Sequence, residues 1–417
     1  MNNILNLRDI KIKTHNMGLA ETAKFFVDNY KPQFEKDNLW DLWMVVTAKN
    51  GSKIDLIDDK GQVFRNVTTY VSNDYLGYSI RPEVIAAGVE AMKKFGAGTC
   101  AAPIIGGFIE LQHQLEKKIA NFLHCDDALV YSSGFSANAG SLLALLEEND
   151  KAIVDPYAHA SVYEGLYHTT TKLTKHNDPE YLDTYLNAIK NDFKTKLVIV
   201  DGVYSQDGDI GRIKEMKEIC HKHGALLLVD DAHGIGIRGA NGKGIIEEQN
   251  MLGQVDFITG TLSKAVGTIG GFFAGPKEIV EYLRLYARPS IFSAAPVPAV
   301  LASAFCAFEL MEKESAPREQ LKWNSDYLRS RLNEAGFDTG ISESQIIPVK
   351  IGDDLKTKKA ARMLLERNIY VCGITYPGVK LGDARLRLGI TALHTKDDLD
   401  YFIESLGEID KILHIRK

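Results

Sequence analysis

Short apolar runs alternate with helical patterns along the middle of the chain. The runs are rich in β-branched and aromatic residues, and each ends in polar or glycine residues. In chain order they are DALVYSS (127–133), KAIVD (151–155), KLVIVDGVYS (196–205), ALLLVDDAHG (225–234), VDFITGT (255–261) and GGFFAG (270–275). Continuous apolar runs between helices are typical of parallel strands that are covered on both faces. The pattern predicts an α/β protein with a mostly parallel sheet, in a large domain over residues 66–300.

A second, smaller set of runs follows the proline-marked segment ARPSIFSAAPVPAV (287–300). After a long helical pattern come SQIIPVKIG (344–352), IYVCGI (369–374) and ARLRLGITA (384–392). They predict a smaller C-terminal α/β domain over residues 301–417, and they leave residues 1–65 as an N-terminal arm.

The arm contains the segment DNLWDLWMVV (37–46), in which Trp40 and Trp43 are three residues apart. This spacing is compatible with one stripe of a helix. Such a stripe is either buried against the protein or exposed to lipid or to a partner.

Composition and charge narrow the class of protein. The 417 residues, 45% hydrophobic and 25% charged, are enough for a large core and a second domain. A net charge of -6 argues against a nucleic-acid partner, which needs a concentrated positive surface. Five scattered cysteines with no metal-ligand spacing predict reduced thiols and no metal site. Charged residues near the N-terminus and the lack of a long apolar stretch predict a soluble, cytoplasmic protein, with a peripheral membrane contact left open.

The polar residues at the strand ends are the candidates for chemistry, because ligands of parallel sheets bind beyond the carboxyl ends of the strands. These candidates are Gly134, Phe135, His159, Ser205, Asp230, His233, Thr261 and Lys264.

Their chemistry points to one cofactor. Lys264 lies among glycines and hydroxyl residues, with no other charged residue between Asp256 and Lys277. The segment SSGFSAN (132–138) opens a predicted helix, whose N-terminus and the Thr261 hydroxyl suit a phosphate. A carboxylate at the end of a buried strand, such as Asp230, needs a cation or a protonated ring nitrogen. An amine, a phosphate cradle and a buried carboxylate together match the needs of pyridoxal phosphate.

Each of these residues also has a structural interpretation. His159 is compatible with a hydrogen-bonded core histidine, Ser205 with a strand end and Asp230 with a turn cap. The segment GIGIRG (234–239) matches the dinucleotide pattern GxGxxG. It is disfavoured, because DDAH separates it from the strand and ANGKG follows where a helix should begin.

Eight segments resemble the α-oxoamine synthases, which are pyridoxal phosphate enzymes of fold type I. The resemblance covers roughly residues 66–410. The segments are SNDYLG (72–77), SSGFSAN (132–138), AHAS (158–161), DGVYSQDGD (201–209), VDDAHGIGIRGANGKG (229–244), TGTLSKAVGTIGGFFAG (259–275), IFSAAPVP (291–298) and RLRLGITALHT (385–395).

The resemblance implies a homodimer that joins an amino acid to an acyl thioester and releases carbon dioxide. It also implies a role for each matching residue. Lys264 would bind the cofactor aldehyde and act as the base, Asp230 would pair with the pyridine nitrogen, and His159 would stack on the ring. His233 and Ser205 would bind the ring oxygen. Gly134, Phe135 and Thr261 would contact the phosphate, Arg387 the substrate carboxylate, and Asn73 the substrate.

Two departures from the family pattern bear on the substrates. Ala102 and Pro103 stand where most members have Ser-Arg, and Gln112 stands where a histidine is usual, with His113 one step later.

The segment 286–304 most resembles bacterial serine palmitoyltransferases. This implies a long-chain thioester of coenzyme A or acyl carrier protein, and serine or cysteate, giving a sphingoid or sulfonolipid base precursor. The alternative within the family is a shorter acyl donor, as in aminooxononanoate synthase, glycine C-acetyltransferase or an autoinducer synthase. Two further alternatives come from other functional classes. One is a catalytically silent subunit, which the presence of Lys264, Asp230 and His159 disfavours. The other is a dinucleotide-binding oxidoreductase.

Overall fold

A computed structural model describes residues 5–36, 38–40, 42–190 and 192–416. The chain divides into two compact units. The larger unit runs from Asn73 to Lys322, and the smaller one combines the residues up to Ser72 with those from Trp323 onward. These boundaries differ from the predicted segments 1–65, 66–300 and 301–417. The difference arises because a strand pair, with Ile369 opposite Thr68, joins N-terminal to C-terminal residues.

The strands are named in chain order. They are β1 (Val45–Asn50), β2 (Lys53–Ile57), β3 (Val63–Thr69), β4 (Asp127–Tyr131), β5 (Lys151–Val154), β6 (Thr170–Leu173), β7 (Lys196–Asp201), β8 (Leu226–Asp230), β9 (Phe257–Thr261), β10 (Gly271–Gly275), β11 (Ile346–Gly352), β12 (Ile369–Tyr370), β13 (Cys372–Ile374) and β14 (Ala384–Gly389).

The helices follow the same convention, and two 3₁₀ turns lie at Tyr78–Ile80 and Pro103–Ile105. The helices are α1 (Leu7–Lys13), α2 (Leu19–Asn29), α3 (Pro32–Glu35), α4 (Pro82–Phe95), α5 (Glu110–Leu123), α6 (Gly134–Leu145), α7 (Ala160–Gly165), α8 (Pro179–Ala188), α9 (Ile213–Lys222), α10 (Ile245–Glu248), α11 (Lys277–Tyr286), α12 (Arg288–Ile291), α13 (Pro298–Lys313), α14 (Ala316–Glu334), α15 (Asp354–Leu365) and α16 (Lys396–Leu413).

The larger unit is built around a seven-stranded sheet of order β4-β10-β9-β8-β7-β5-β6. Only β10 runs against its neighbours in this sheet, so β4, β5, β7, β8 and β9 end at the same edge. All six residues of β7 are buried, as expected for a parallel strand covered on both faces. On one face, Leu129, Ile199 and Phe273 pack with Leu142 of α6 and Leu283 of α11. The predicted mostly parallel α/β sheet is confirmed.

The smaller unit contains two further sheets. One has the order β1-β2-β3-β12, and the other is the antiparallel sheet β11-β14-β13. The strands predicted in segments 344–352, 369–374 and 384–392 are present, although the middle segment forms two short strands. Strands β1 to β3 lie in and just after the predicted arm.

The tryptophan segment does not form the predicted helix. Trp40 is partly buried against Ile10, Tyr30 and Phe34, whereas Trp43 is 89% exposed. Trp43 also has a φ of 64°, which is incompatible with an α-helix, and β1 begins two residues later. The two rings therefore do not form one stripe. Asp37 and Asp41 of this segment lie outside the described residues.

Within the described ranges, no helix has both the length and the apolar character needed to cross a bilayer.

Candidate active site

A cavity of about 280 Å³ lies at the edge of the larger sheet where the parallel strands end. It is lined by all eight candidates taken from the strand ends, and Asn138, Asp201 and Ser263 line it as well. The eight candidates are Gly134, Phe135, His159, Ser205, Asp230, His233, Thr261 and Lys264. The structure thus assembles these residues at one position, as the parallel topology predicts.

Asp230 is the last residue of β8, and its carboxylate is held from two sides. One oxygen accepts a hydrogen bond from the backbone N–H of Ala232 at 3.1 Å, and the other accepts one from Asn138 Nδ2 at 2.6 Å. Asn138 Nδ2 also donates to Ser161 Oγ at 3.0 Å. Asp230 is only 6% exposed, so these bonds fix the direction of a buried carboxylate. Sequence reasoning missed Asn138, although it belongs to the SSGFSAN segment, one helical turn after Gly134.

His159 caps the N-terminus of α7 and is exposed at the cavity, so it is not a core histidine. Its Nδ1 accepts a hydrogen bond from the backbone N–H of Ser161 at 3.3 Å and lies 2.7 Å from the Ser161 hydroxyl. Desolvation lowers the pKa of His159 more than the charge of Asp230 raises it, and the charge of Lys264 lowers it further. The neutral form of the ring is therefore favoured, and the residue lines the cavity.

Lys264 lies in the turn between β9 and β10, where its carbonyl accepts a hydrogen bond from Gly267 N at 2.9 Å. Its charge acts on both His159 and Asp201, which come from different strand ends. All three residues line the same cavity. A primary amine in a cavity of this kind is suited to imine formation with a carbonyl group.

The N-terminus of α6 packs tightly against the ends of β9 and β10. A Cβ atom on Gly134 would lie 3.1 Å from Thr261 Oγ1, and one on Gly271 would lie 2.4 Å from the Gly134 Cα. Ser133 caps the helix by accepting a hydrogen bond from Ser136 N at 3.0 Å. The first N–H groups of the helix have no partner within it and carry its positive dipole end. This part of the cavity is therefore suited to an anion.

His233 and Asn73 are connected through Tyr75. The Tyr75 hydroxyl donates to Asn73 Oδ1 at 2.9 Å, and it lies 2.8 Å from His233 Nδ1. Because the hydroxyl has a single hydrogen, its oxygen accepts a hydrogen bond from Nδ1 of His233. Asn73 therefore helps to orient a histidine of the cavity, a connection that sequence reasoning missed.

Asp201 ends β7 directly beside Asp230 in the neighbouring strand. Burial and the neighbouring carboxylates of Asp230 and Asp155 raise the pKa of Asp201 well above its ordinary value. Burial and the adjacent carboxylate of Asp230 thus favour the protonated form of Asp201. The polar end of the run KLVIVDG was the available sequence signal for this residue.

Two other predictions concern residues outside this cluster. Arg387 lies half-buried in β14 of the smaller unit, opposite Pro348 and Cys372, so its role remains a prediction. The GIGIRG segment forms turns, and the next helix, α10, has four residues. The segment is therefore not followed by the long helix of a dinucleotide site.

The departures from the family pattern have a local structural effect. Pro103 begins a 3₁₀ turn, and the buried Gln112 donates from Nε2 to Glu116 Oε1 at 3.1 Å. Glu116 also pairs with Arg284 at 2.8 Å.

The residues of the cavity fit pyridoxal phosphate. An amine, an oriented carboxylate, a flat imidazole and a helix N-terminus with no side chain at Gly134 surround one small space. These groups match an aldehyde, a pyridinium nitrogen, an aromatic ring and a phosphate. Fold and site together define the class of the protein as a pyridoxal phosphate enzyme of fold type I.

Comparisons with known proteins agree with this class. The family described as "Aminotransferase class I and II" matches residues 66–406. An 8-amino-7-oxononanoate synthase from Symbiobacterium thermophilum is 39% identical over 351 residues, which cover 84% of this chain and 90% of that protein. An enzyme of the same name from Thermoanaerobacter pseudethanolicus is 36% identical over 392 residues, which cover 94% of this chain and 98% of that protein.

Two solved serine palmitoyltransferases have similar structures. The S. paucimobilis enzyme, described with bound PLP and myriocin, gives a TM-score of 0.88 at 31% identity, covering 94% of this chain and 99% of that one. The Sphingomonas wittichii enzyme gives a TM-score of 0.88 at 30% identity, with the same coverage of both chains.

The chain therefore belongs to the class I and II aminotransferase family, as a member of its α-oxoamine synthases. Its cofactor is pyridoxal phosphate. Its reaction is the decarboxylating condensation of an amino acid with an acyl thioester.

Proposed function

We propose that this enzyme makes 8-amino-7-oxononanoate from alanine and the thioester of a seven-carbon dicarboxylic acid. The product's structure implies these substrates, because its amino-bearing end has the skeleton of decarboxylated alanine and its other carbons form a carboxylated acyl chain. The relatives of that name, at 39% and 36% identity, support this shorter-acyl reading over the long-chain one.

A second candidate is the long-chain reaction with serine or cysteate. The two serine palmitoyltransferase structures, each with a TM-score of 0.88, and the segment IFSAAPVP (291–298) favour it. The identities of 31% and 30% are lower than those of the oxononanoate synthases, so this candidate ranks second.

The observation that carries the proposed mechanism is that Lys264 and the oriented carboxylate of Asp230 line the same cavity. When bound, pyridoxal phosphate supplies an electron sink for the α-carbon of the amino acid. Lys264 would hold the cofactor through its aldehyde, and the Lys264 amine would be the base for the α-proton of the amino acid. Asp230, held by Asn138, keeps a proton on the pyridine nitrogen.

The other cavity residues hold the cofactor in our proposal. The backbone at Gly134 and Phe135, with the Thr261 hydroxyl, binds the phosphate. His159 would stack its ring on the pyridine, while His233 and Ser205 would form hydrogen bonds with the ring oxygen. The presence of each residue at the cavity supports these roles.

Two residues are proposed to bind the substrate. Arg387 binds the amino-acid carboxylate through two parallel hydrogen bonds, and Asn73 approaches the substrate. We also propose a homodimer, with the acyl group carried by coenzyme A or acyl carrier protein.

The substrates are tested with a matrix of amino acids and thioesters. Alanine, glycine, serine and cysteate are each combined with carboxyhexanoyl, acetyl and palmitoyl thioesters, and thiol release and product mass are measured. We expect alanine with the carboxyhexanoyl thioester to give the highest kcat/KM. A higher value for serine or cysteate with the palmitoyl thioester would favour the second candidate.

A further inference from the structure

A buried polar cluster next to the cavity has no place in the mechanism above. In it, His176 lies between two carboxylates, with Nδ1 2.9 Å from Asp155 Oδ1 and Nε2 3.0 Å from Asp209 Oδ2. The side chains of Asp155 and Asp209 are 1% and 4% exposed, and that of His176 is 18% exposed. The rings of Tyr157 and Tyr204 pack against the imidazole, with centroids 4.1 and 4.5 Å away.

With both carboxylates ionised, this geometry calls for a charged imidazole. A neutral histidine has one N–H and donates to one acceptor, whereas the imidazolium donates from both nitrogens. If His176 were neutral, a lone pair of the ring would face a buried carboxylate at hydrogen-bonding distance, which is costly. When both carboxylates are ionised, only protonated His176 donates to Asp155 and Asp209 at once.

Asp155 organises the segment that leads to His159. Its Oδ1 accepts from Tyr157 N at 2.8 Å, its Oδ2 accepts from Asn177 N at 2.7 Å, and its carbonyl accepts from Ala158 N at 3.0 Å. The position of the Asp155 carboxylate therefore determines the path of the chain up to His159.

Asp209 organises the turn that carries Ser205. Its carbonyl accepts from Tyr204 N at 3.0 Å, and Gly208 N donates to the Tyr204 carbonyl at 2.9 Å. Ser205 lies within this closed turn and lines the cavity. The two loops that His176 joins thus present His159 and Ser205 to the same space.

We propose that His176, as an imidazolium shared by Asp155 and Asp209, is a positioning residue that sets the places of His159 and Ser205 around the cofactor. The proposal rests on the proposed roles of His159 and Ser205. Supporting it, burial alone lowers the pKa of His176, but the hydrogen bonds and charges of Asp155 and Asp209 outweigh burial and raise that pKa to about 9.

The test compares three variants by equilibrium pyridoxal phosphate binding and by the visible circular dichroism of the bound cofactor. His176→Gln has one donor group, so it cannot donate to both carboxylates from the same position. Asp209→Asn is the conservative partner, because its amide donates to an unprotonated Nε2 while Nδ1–H donates to Asp155. His223→Gln is the matched control, since His223 Nε2 contacts a single carboxylate, that of Asp183, at 2.6 Å.

We expect His176→Gln to weaken cofactor binding by about tenfold or more and to change the visible dichroism, because small displacements of positioned groups have large effects. The affinities of Asp209→Asn and His223→Gln for pyridoxal phosphate should each stay within about threefold of that of the unchanged protein. If the folded His176→Gln protein binds the cofactor with unchanged affinity and dichroism, the proposal is wrong. If the unchanged protein binds no cofactor, the proposed function fails instead.

A second measurement needs neither cofactor nor variant. In the cofactor-free protein, ¹⁵N NMR of the His176 ring should show both nitrogens protonated at pH 8. A neutral ring at that pH would overturn the proposal even if every variant failed to fold.

Discussion

Replacing Asn138 by leucine tests how the buried carboxylate of Asp230 is held. The side chains are similar in size, but leucine removes the donor that lies 2.6 Å from Asp230 Oδ2 and 3.0 Å from Ser161 Oγ. A hydrogen bond to a charged group contributes about 1.5–3 kcal/mol, and an unpartnered buried acceptor adds to the loss. Because Asn138 is 3% exposed, water cannot easily replace it. We expect the cofactor-free protein to lose about 2–4 kcal/mol of unfolding free energy.

The assay combines urea unfolding of the cofactor-free protein with equilibrium binding of pyridoxal phosphate. Ser141→Ala is the control on the same helix, since Ser141 shares one neutral hydrogen bond, at 2.9 Å, with Tyr131. Ser141→Ala should lower the free energy of unfolding by about 0.5–1.5 kcal/mol and leave cofactor binding unchanged. Asn138→Leu should weaken binding about tenfold or more, which corresponds to about 1.4 kcal/mol. Equal stability losses in the two variants, with unchanged cofactor binding in both, would refute the reasoning.

Three further changes test other parts of the account. Gly134→Val should weaken binding of pyridoxal phosphate more than of pyridoxal, because a Cβ there would lie 3.1 Å from Thr261 Oγ1; equal effects on both ligands would argue against a phosphate site. The pKa of His176 is raised from 6.5 to about 9, so its protonated ring stabilises the fold. This stabilisation is fully present below pH 6.5 and is lost as the pH rises through about 9. The stability lost is at most about 3.4 kcal/mol. Urea unfolding of His176→Gln should not show this loss, and an identical pH profile of stability in the two proteins would contradict the prediction. Arg387→Ala should raise KM for the amino acid far more than for the thioester, and equal increases would exclude a role at the carboxylate.

The larger sheet and most of its site were predictable because the relevant signals are local. A buried parallel strand must be apolar along its length, so the polar residue that ends it, such as Asp230 or Thr261, is visible in the sequence. Parallel topology then brings such ends together, which explains why eight candidates share one cavity.

The features that were missed depend on contacts between distant residues. Asn138 looks like an ordinary helix residue, and its partner Asp230 is 92 positions away. Strand β6 is a mostly exposed edge strand with the sequence TTKL, so it lacks an apolar run. The described residues around Trp40 and Trp43 do not form the expected helix, because the spacing of two aromatic residues does not specify the backbone between them, and Trp43 adopts a positive φ.

The central claim is that Lys264 binds the cofactor aldehyde. Borohydride reduction of the purified enzyme with pyridoxal phosphate, followed by proteolysis and mass spectrometry, locates the attached cofactor directly. We expect the label on the peptide that contains Lys264, and we expect its loss in Lys264→Ala. A label on another lysine, or no label in an enzyme that binds the cofactor, would contradict the claim.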